Sequence, residues 1–188
     1  MVGYHLAGLG KFSGREARAQ FWPWAGIVVG LIFLGSFVLV GPMIADTMVK
    51  MQQFAREHPD QARVNAGPGH YEISIEGHHP ELMPDFAAFS GAMAIVVALA
   101  VVLLSAAVAR RLHDTGLTGA WELLPLPFLA IGLTQTPKLF ASAVPDMQLF
   151  GLLFLNNLCY LGALGLLVLL LAREGSRGDN RYGPASQD

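Results

Sequence analysis

Apolar residues fall in long unbroken runs along this chain, with the polar residues gathered between them. Segments 21–45, 86–109 and 147–172 contain no Asp, Glu, Lys or Arg. Crossing about 30 Å of hydrocarbon takes roughly 20 mostly apolar helical residues, so each run predicts a transmembrane helix. A fourth stretch, 120–140, is apolar enough to join them but carries Pro125, Pro127 and Pro137. Proline frees a carbonyl and bends a helix, so the pattern predicts a kinked third span packed against protein. The fold expected is an all-α integral membrane protein. It is a four-helix transmembrane bundle forming a single membrane domain over 1–188, with a polar loop over 46–85 and a tail over 173–188.

Composition agrees with the pattern. Only 14% of the 188 residues are charged while 53% are hydrophobic, against roughly 25% charged in an ordinary soluble domain. A disordered chain, a collagen and a disulfide scaffold are excluded, since hydrophobicity is high, no Gly-X-Y period exists and there is 1 cysteine. A net charge of -2 gives no general attraction to nucleic acid. The first apolar run is too long for the 7–15 residue core of a cleaved signal peptide and follows a polar lead, so it is expected to stay as a span.

The basic residues set the orientation. With four spans, Lys11, Arg15, Arg18, Arg110, Arg111, Arg173, Arg177 and Arg181 share one side; Lys50, Arg56, Arg63 and Lys138 lie on the other. Lys and Arg favour cytoplasmic loops, so both termini are expected in the cytoplasm. The extracytoplasmic loop, 41 residues from 46 to 86, holds seven acids, three bases and four histidines. Met48, Met51, Phe54 and Ala55 form one helical stripe that prolongs the first span. Tyr71, Ile73 and Ile75 alternate with Glu72, Ser74 and Glu76, which predicts a short strand or half a hairpin. His70, His78 and His79 beside these acids match no recognised metal spacing, so no metal and no cofactor is assigned.

Three strings outside the spans carry the candidate chemistry. In FSGREARAQFW (12–22), Ser13 and Glu16 make a capping box for a helix that would place Arg15, Arg18 and Trp22 on one side. The arginines serve there either as anchors on headgroup phosphates, with Phe21, Trp22 and Trp24 as aromatic belt, or as part of a specific site. In RRLHDTGLTGAW (110–121), Arg110 can pair locally with Asp114, Gly116 suits a left-handed cap, and Thr118 or Asp114 can cap the next helix. Gly119 allows close backbone approach. His113 beside Asp114 could handle protons, but a lone Asp-Thr-Gly lacks the second carboxylate of an aspartic protease. In REGSRGDNRYGP (173–184), glycines make successive turns, and Arg181 with Tyr182 can meet phosphate or a carboxylate such as Asp114. Within the spans, Gly26 and Gly30 form a GxxxG and Gly162 and Gly165 allow close packing; Asn156 and Asn157 read as interhelical glue or as the lining of a polar path. Glu122 can snorkel or pair with a nearby arginine, and Cys159 reads as a small packing residue.

Taken together, the strings FSGREARAQFW, RRLHDTGLTGAW and RGDNRYGP, in this order around four spans, resemble the bacterial inner-membrane proteins grouped as domain of unknown function 805. Leu117 stands where that family often has Arg, and Ala120 where it often has the first of two tryptophans. The resemblance implies a small four-helix protein of the bacterial inner membrane and no reaction. It also implies that the three strings share the cytoplasmic face, where Arg15, Arg18, Arg110, Arg111, His113, Asp114, Asn180, Arg181 and Tyr182 form one candidate cluster. The function expected is a membrane interaction or scaffold module whose cluster binds an anionic lipid headgroup, a small anion or a partner protein. Its partners are the bilayer, and a second copy or another membrane protein. The alternative is a subunit of an oligomeric transporter or channel. A surface enzyme resting on His113 and Asp114 is the least favoured reading, since no nucleophile motif, phosphate loop or metal spacing accompanies them.

Overall fold

A computed structural model describes residues 1–77, 79–141, 144 and 146–185; His78 and residues 186–188 of the tail lie outside them. A short helix α1 (Val2–Ala7) is followed by α2 (Arg18–Glu57), a hairpin of β1 (Ala62–Gly67) and β2 (His70–Ile75), α3 (Phe86–Asp114), α4 (Leu126–Leu139) and α5 (Met147–Ala172). Among the described residues, α2, α3 and α5 are the helices long and apolar enough to cross a membrane.

The apolar runs became helices close to their expected limits, with two differences. First, α2 continues for 12 residues beyond Ala45 to Glu57, because the stripe of Met48, Met51 and Phe54 keeps the helical period going. The loop is correspondingly shorter than 41 residues. Its remainder is ordered by the hairpin, in which Ala62 faces Ile75 and Gly67 faces His70 around Pro68 and Gly69. Gly69 takes φ +76, the left-handed conformation that the second central residue of such a turn requires. The alternating residues 71–75 are thus half a hairpin, completed by a strand in which Ala62, Val64 and Ala66 alternate with Arg63, Asn65 and Gly67.

Second, the proline-rich stretch is not one long kinked helix. Gly119–Leu123 forms a 3-10 turn, Pro125 caps α4 and Pro127 lies in its first turn, where a missing N–H costs nothing. At 14 residues, α4 alone rises only about 21 Å. Its neighbours show how far the whole stretch travels. Gly119 approaches Ala109, and a Cβ there would lie 3.0 Å from the Ala109 methyl. At the other end Phe140 stacks on Phe86, with ring centroids 4.1 Å apart. Segment 119–140 therefore runs antiparallel to α3 from near its end to its start, about 35 Å at 1.5 Å per residue.

The central element is α3, which packs against α2, α4 and α5. Side chains are buried mainly at one end, where Phe21, Trp24, Ala25 and Val28 of α2 meet Ala107, Val108 and Leu112 of α3 and Leu167 and Leu171 of α5. Toward the other end the helices present large apolar side chains outward, Phe33, Phe37 and Phe150 among them, a surface compatible with surrounding lipid. Gly26, Gly30, Gly162 and Gly165 have no neighbour within 4 Å of an added Cβ, so they do not mediate packing inside this chain. Cys159 also faces outward. Leu112 is fully enclosed at 0% exposure. Leu112→Ala should therefore destabilise the fold by about 2–5 kcal/mol, read as an earlier unfolding midpoint in detergent.

Candidate functional site

All three polar strings converge at the end of the bundle where α2 begins and α3 and α5 finish. The first string does not start the helix. Gly14, at φ +95, turns the chain so that residues up to Ala17 remain extended, and α2 begins at Arg18 without a side-chain cap. Ser13 and Glu16 thus form no capping box. Glu16 is drawn elsewhere: its N–H donates to the Arg110 carbonyl (3.2 Å), and its side chain, at 0% exposure, meets Arg110. Arg110 Nε and Nη2 both reach Glu16 Oε2, at 2.8 and 2.7 Å. The second carboxylate oxygen lies 2.9 Å from His5 Nε2. His5 in turn stacks on Trp24, rings 4.8 Å apart and 6° from parallel, and Trp24 Nε1 donates to the Leu103 carbonyl. The remaining nitrogen of Arg110 donates to the carbonyls of Gly8 and Lys11, fastening the N-terminal segment to α3.

One helical turn along, Asp114 sits between two guanidiniums. Its Oδ1 accepts from Arg15 Nε at 2.9 Å and its Oδ2 from Arg111 Nη1. Arg15 then reaches the tail, donating to the carbonyls of Ser176 (2.8 Å) and Gly178 (2.7 Å). Arg111 is wholly buried. It donates to the carbonyls of Leu171 at 2.9 Å, Glu16 at 3.3 Å and Arg173, and so supplies from α3 the cap that α5 lacks in its own last turn. Helix C-termini leave carbonyls unsatisfied and carry partial negative charge, which a guanidinium answers on both counts. The tail closes over this point. Ser176 donates through N–H and Oγ to the Asp114 carbonyl, and a side chain at Gly175 would collide with the Asp114 carboxylate.

Around this buried core lies a second layer. His113 stacks on Tyr182, centroids 3.8 Å apart, and its Nδ1 contacts the Gly14 carbonyl. Asn180 donates to the His113 carbonyl at 3.0 Å and pairs with Gly183 across the tail's last turn. Arg181 is exposed and lies over the Tyr182 ring at 4.6 Å. Lys11, Arg173 and Arg177 are exposed and Arg18 is half-buried, with no acidic partner among the described residues for any of these four side chains.

Of the nine residues in the candidate cluster, Arg15, Arg110, Arg111, His113, Asp114, Asn180 and Tyr182 thus meet directly or through shared partners. Three expected pairings are corrected. Arg111, three residues before Asp114, takes the place expected for Arg110, which lies against Glu16 instead. Arg181 stays at the rim, because Arg15 already occupies the Asp114 carboxylate. Arg15 precedes the helix, so it does not share a helical side with Arg18 and Trp22. His5, Glu16, Gly175 and Ser176 were not among the expected residues. Gly116 at φ +80 and Thr118, whose Oγ1 accepts from Ala120, take the turn and capping roles expected of them.

Other singled-out residues lie apart from this end. His79 contacts Glu81 and the Glu76 carbonyl, and His70 lies near Glu72; the metal reading also involved His78, outside the described residues. Asn156 donates to the Phe128 carbonyl across α4 and α5, as interhelical glue does. Glu122, in the 3-10 turn ahead of α4 and outside the long helices, pairs with no arginine; its Oε2 is buried without a hydrogen bond among the described residues.

A family model described as "Protein of unknown function (DUF805)" matches residues 9–184, nearly the whole chain. No curated protein and no solved structure matches.

Two outcomes follow from the geometry. Glu16→Gln leaves the Arg110 guanidinium buried against a neutral amide and should cost about 3–5 kcal/mol in a denaturation series, whereas Lys11→Ala should change stability by about 0.5 kcal/mol or less.

Proposed function

The chain belongs to the DUF805 family, whose function is unknown, and from that premise we propose that it is an inner-membrane interaction module. In this reading α2, α3, segment 119–140 and α5 cross the bilayer and both termini lie in the cytoplasm. The buried ionic knot is a rigid platform, and the basic residues around it bind the headgroups of anionic phospholipids. The observation that carries the reading is the division of the cations at this end. Arg15, Arg110 and Arg111 are committed to carboxylates and carbonyls inside the protein, while Lys11, Arg18, Arg173, Arg177 and Arg181 have no acidic partner among the described residues. Juxtamembrane cations of the second kind attract anionic lipid by about 1 kcal/mol each.

Neither competing reading gains a supporting contact. Of Asn156 and Asn157, which with the proline-broken third span motivated an oligomeric transporter or channel subunit, Asn156 is tied to the Phe128 carbonyl. For an enzyme, His113 and Asp114 would need to share a proton path. Instead the ring lies against Tyr182 and Gly14 while the carboxylate is held by two guanidiniums.

Native mass spectrometry of the protein released from membranes rich in phosphatidylglycerol tests the proposal. The triple variant Lys11→Gln, Arg177→Gln, Arg181→Gln should retain wild-type thermal stability and lose most of its bound phosphatidylglycerol, with the difference shrinking as salt is added. Equal lipid retention by a stably folded triple variant would refute it.

A further inference from the structure

Far from the ionic knot, α3, α4 and α5 enclose a groove of about 240 Å³. Ser90 reaches it from the second turn of α3, Thr136 from the last turn of α4, and Asn157 and Tyr160 from α5. Phe89 and Phe128 form apolar walls. None of the four polar side chains has a hydrogen-bond partner among the described residues, in contrast to Ser36, Thr47 and Thr134, each of which donates to a carbonyl of its own helix. In hydrocarbon an unsatisfied hydroxyl or amide is costly, and such groups are rarely left open without a partner. Here four of them face one cavity.

We propose that this groove binds the uncharged, oxygen-bearing head of a membrane amphiphile whose apolar tail extends into the bilayer. Its lining has no ionisable acid or base apart from the Tyr160 phenol, so nothing there would offset the charge of a phosphate or an ammonium. Three hydroxyls and an amide both donate and accept hydrogen bonds, as ester, hydroxyl and quinone oxygens require. The volume equals roughly eight waters at about 30 Å³ each, enough for a glycerol ester or a single quinone ring. Mostly apolar walls with a few convergent polar groups are the usual make-up of a small-molecule site. Asn157 is exposed at the groove's edge, which leaves a route in from the side of α5.

The inference rests on the membrane reading of the chain, and the test separates the two. Wild-type protein is reconstituted into phosphatidylcholine vesicles containing a photoreactive diazirine analogue of oleoylglycerol, and labelled peptides are mapped by mass spectrometry. Failure to incorporate would sink the membrane reading and this inference with it. In incorporated protein, saturable labelling is expected on the peptides that carry Ser90, Thr136 and Asn157. Displacement by oleoylglycerol identifies a glycerolipid head, and displacement by decyl-benzoquinone identifies a quinone; either supports the proposal. Tyr160→Phe with Ser90→Ala removes two hydroxyls at nearly constant shape and should weaken labelling about tenfold while leaving the melting temperature and phosphatidylglycerol retention unchanged. Labelling spread evenly over the outer helix faces, displacement by phosphatidylglycerol alone, or unaltered labelling in the double variant would each overturn the proposal.

Discussion

A guanidinium with no exposure to solvent must find all its partners inside the protein, and Arg111 imposes that demand on everything around it. An unpaired ion transferred from water to a low-dielectric interior is penalised by several kcal/mol even after relaxation. Arg111 avoids the penalty by reaching three parts of the chain at once: Asp114 on its own helix, the carbonyl of Glu16 ahead of α2, and the open carbonyls at the end of α5. The same logic extends outward. Among the described residues Arg15, Arg110 and Arg111 share the carboxylates of Glu16 and Asp114, and backbone carbonyls of the N-terminal segment and the tail take up the excess of positive charge. Segments with no helix or strand of their own are thereby held as firmly as the helices they join.

This arrangement divides the molecule into two unlike ends. At the ionic end, small residues of α3 such as Ala106, Ala107 and Ala109 let the backbone of neighbouring elements come close, and the glycine at 119 does the same from the opposite side. At the far end the helices touch through fewer buried side chains, and polar groups remain open in the groove beside Tyr160. Buried side chains are concentrated around the ionic knot, and open polar groups in the groove.

The long helices were legible because a run of apolar residues about 20 long has few alternatives to a helix. The convergence of three strings at one end followed from topology and from the resemblance. What the sequence concealed was the pairing. Glu16 follows Ser13 at capping-box spacing, and local rules assign it to a helix start; its true partner is 94 positions away and no local rule could reach it. Arg110 and Arg111 are adjacent, so a spacing argument fits either to Asp114, and only the direction of α3 relative to α5 decides which one turns inward. His5 gave no signal beyond being a histidine near the N-terminus. The glycine at 175 did carry a clue, an unadorned backbone beside an acid, but it reads as an ordinary turn until the acid's position is known.

The contacts of Arg15 also constrain the order of events during synthesis. Its bond to the Gly178 carbonyl joins positions separated by 163 residues, nearly the full length of the chain. When α2 leaves the ribosome, Arg15 has none of its later partners and Glu16 has His5 alone, and when α3 follows, Asp114 still lacks the tail that covers it. The knot therefore closes only after the final helix and the tail behind it have been made, so its closure records that both ends of the chain have come together.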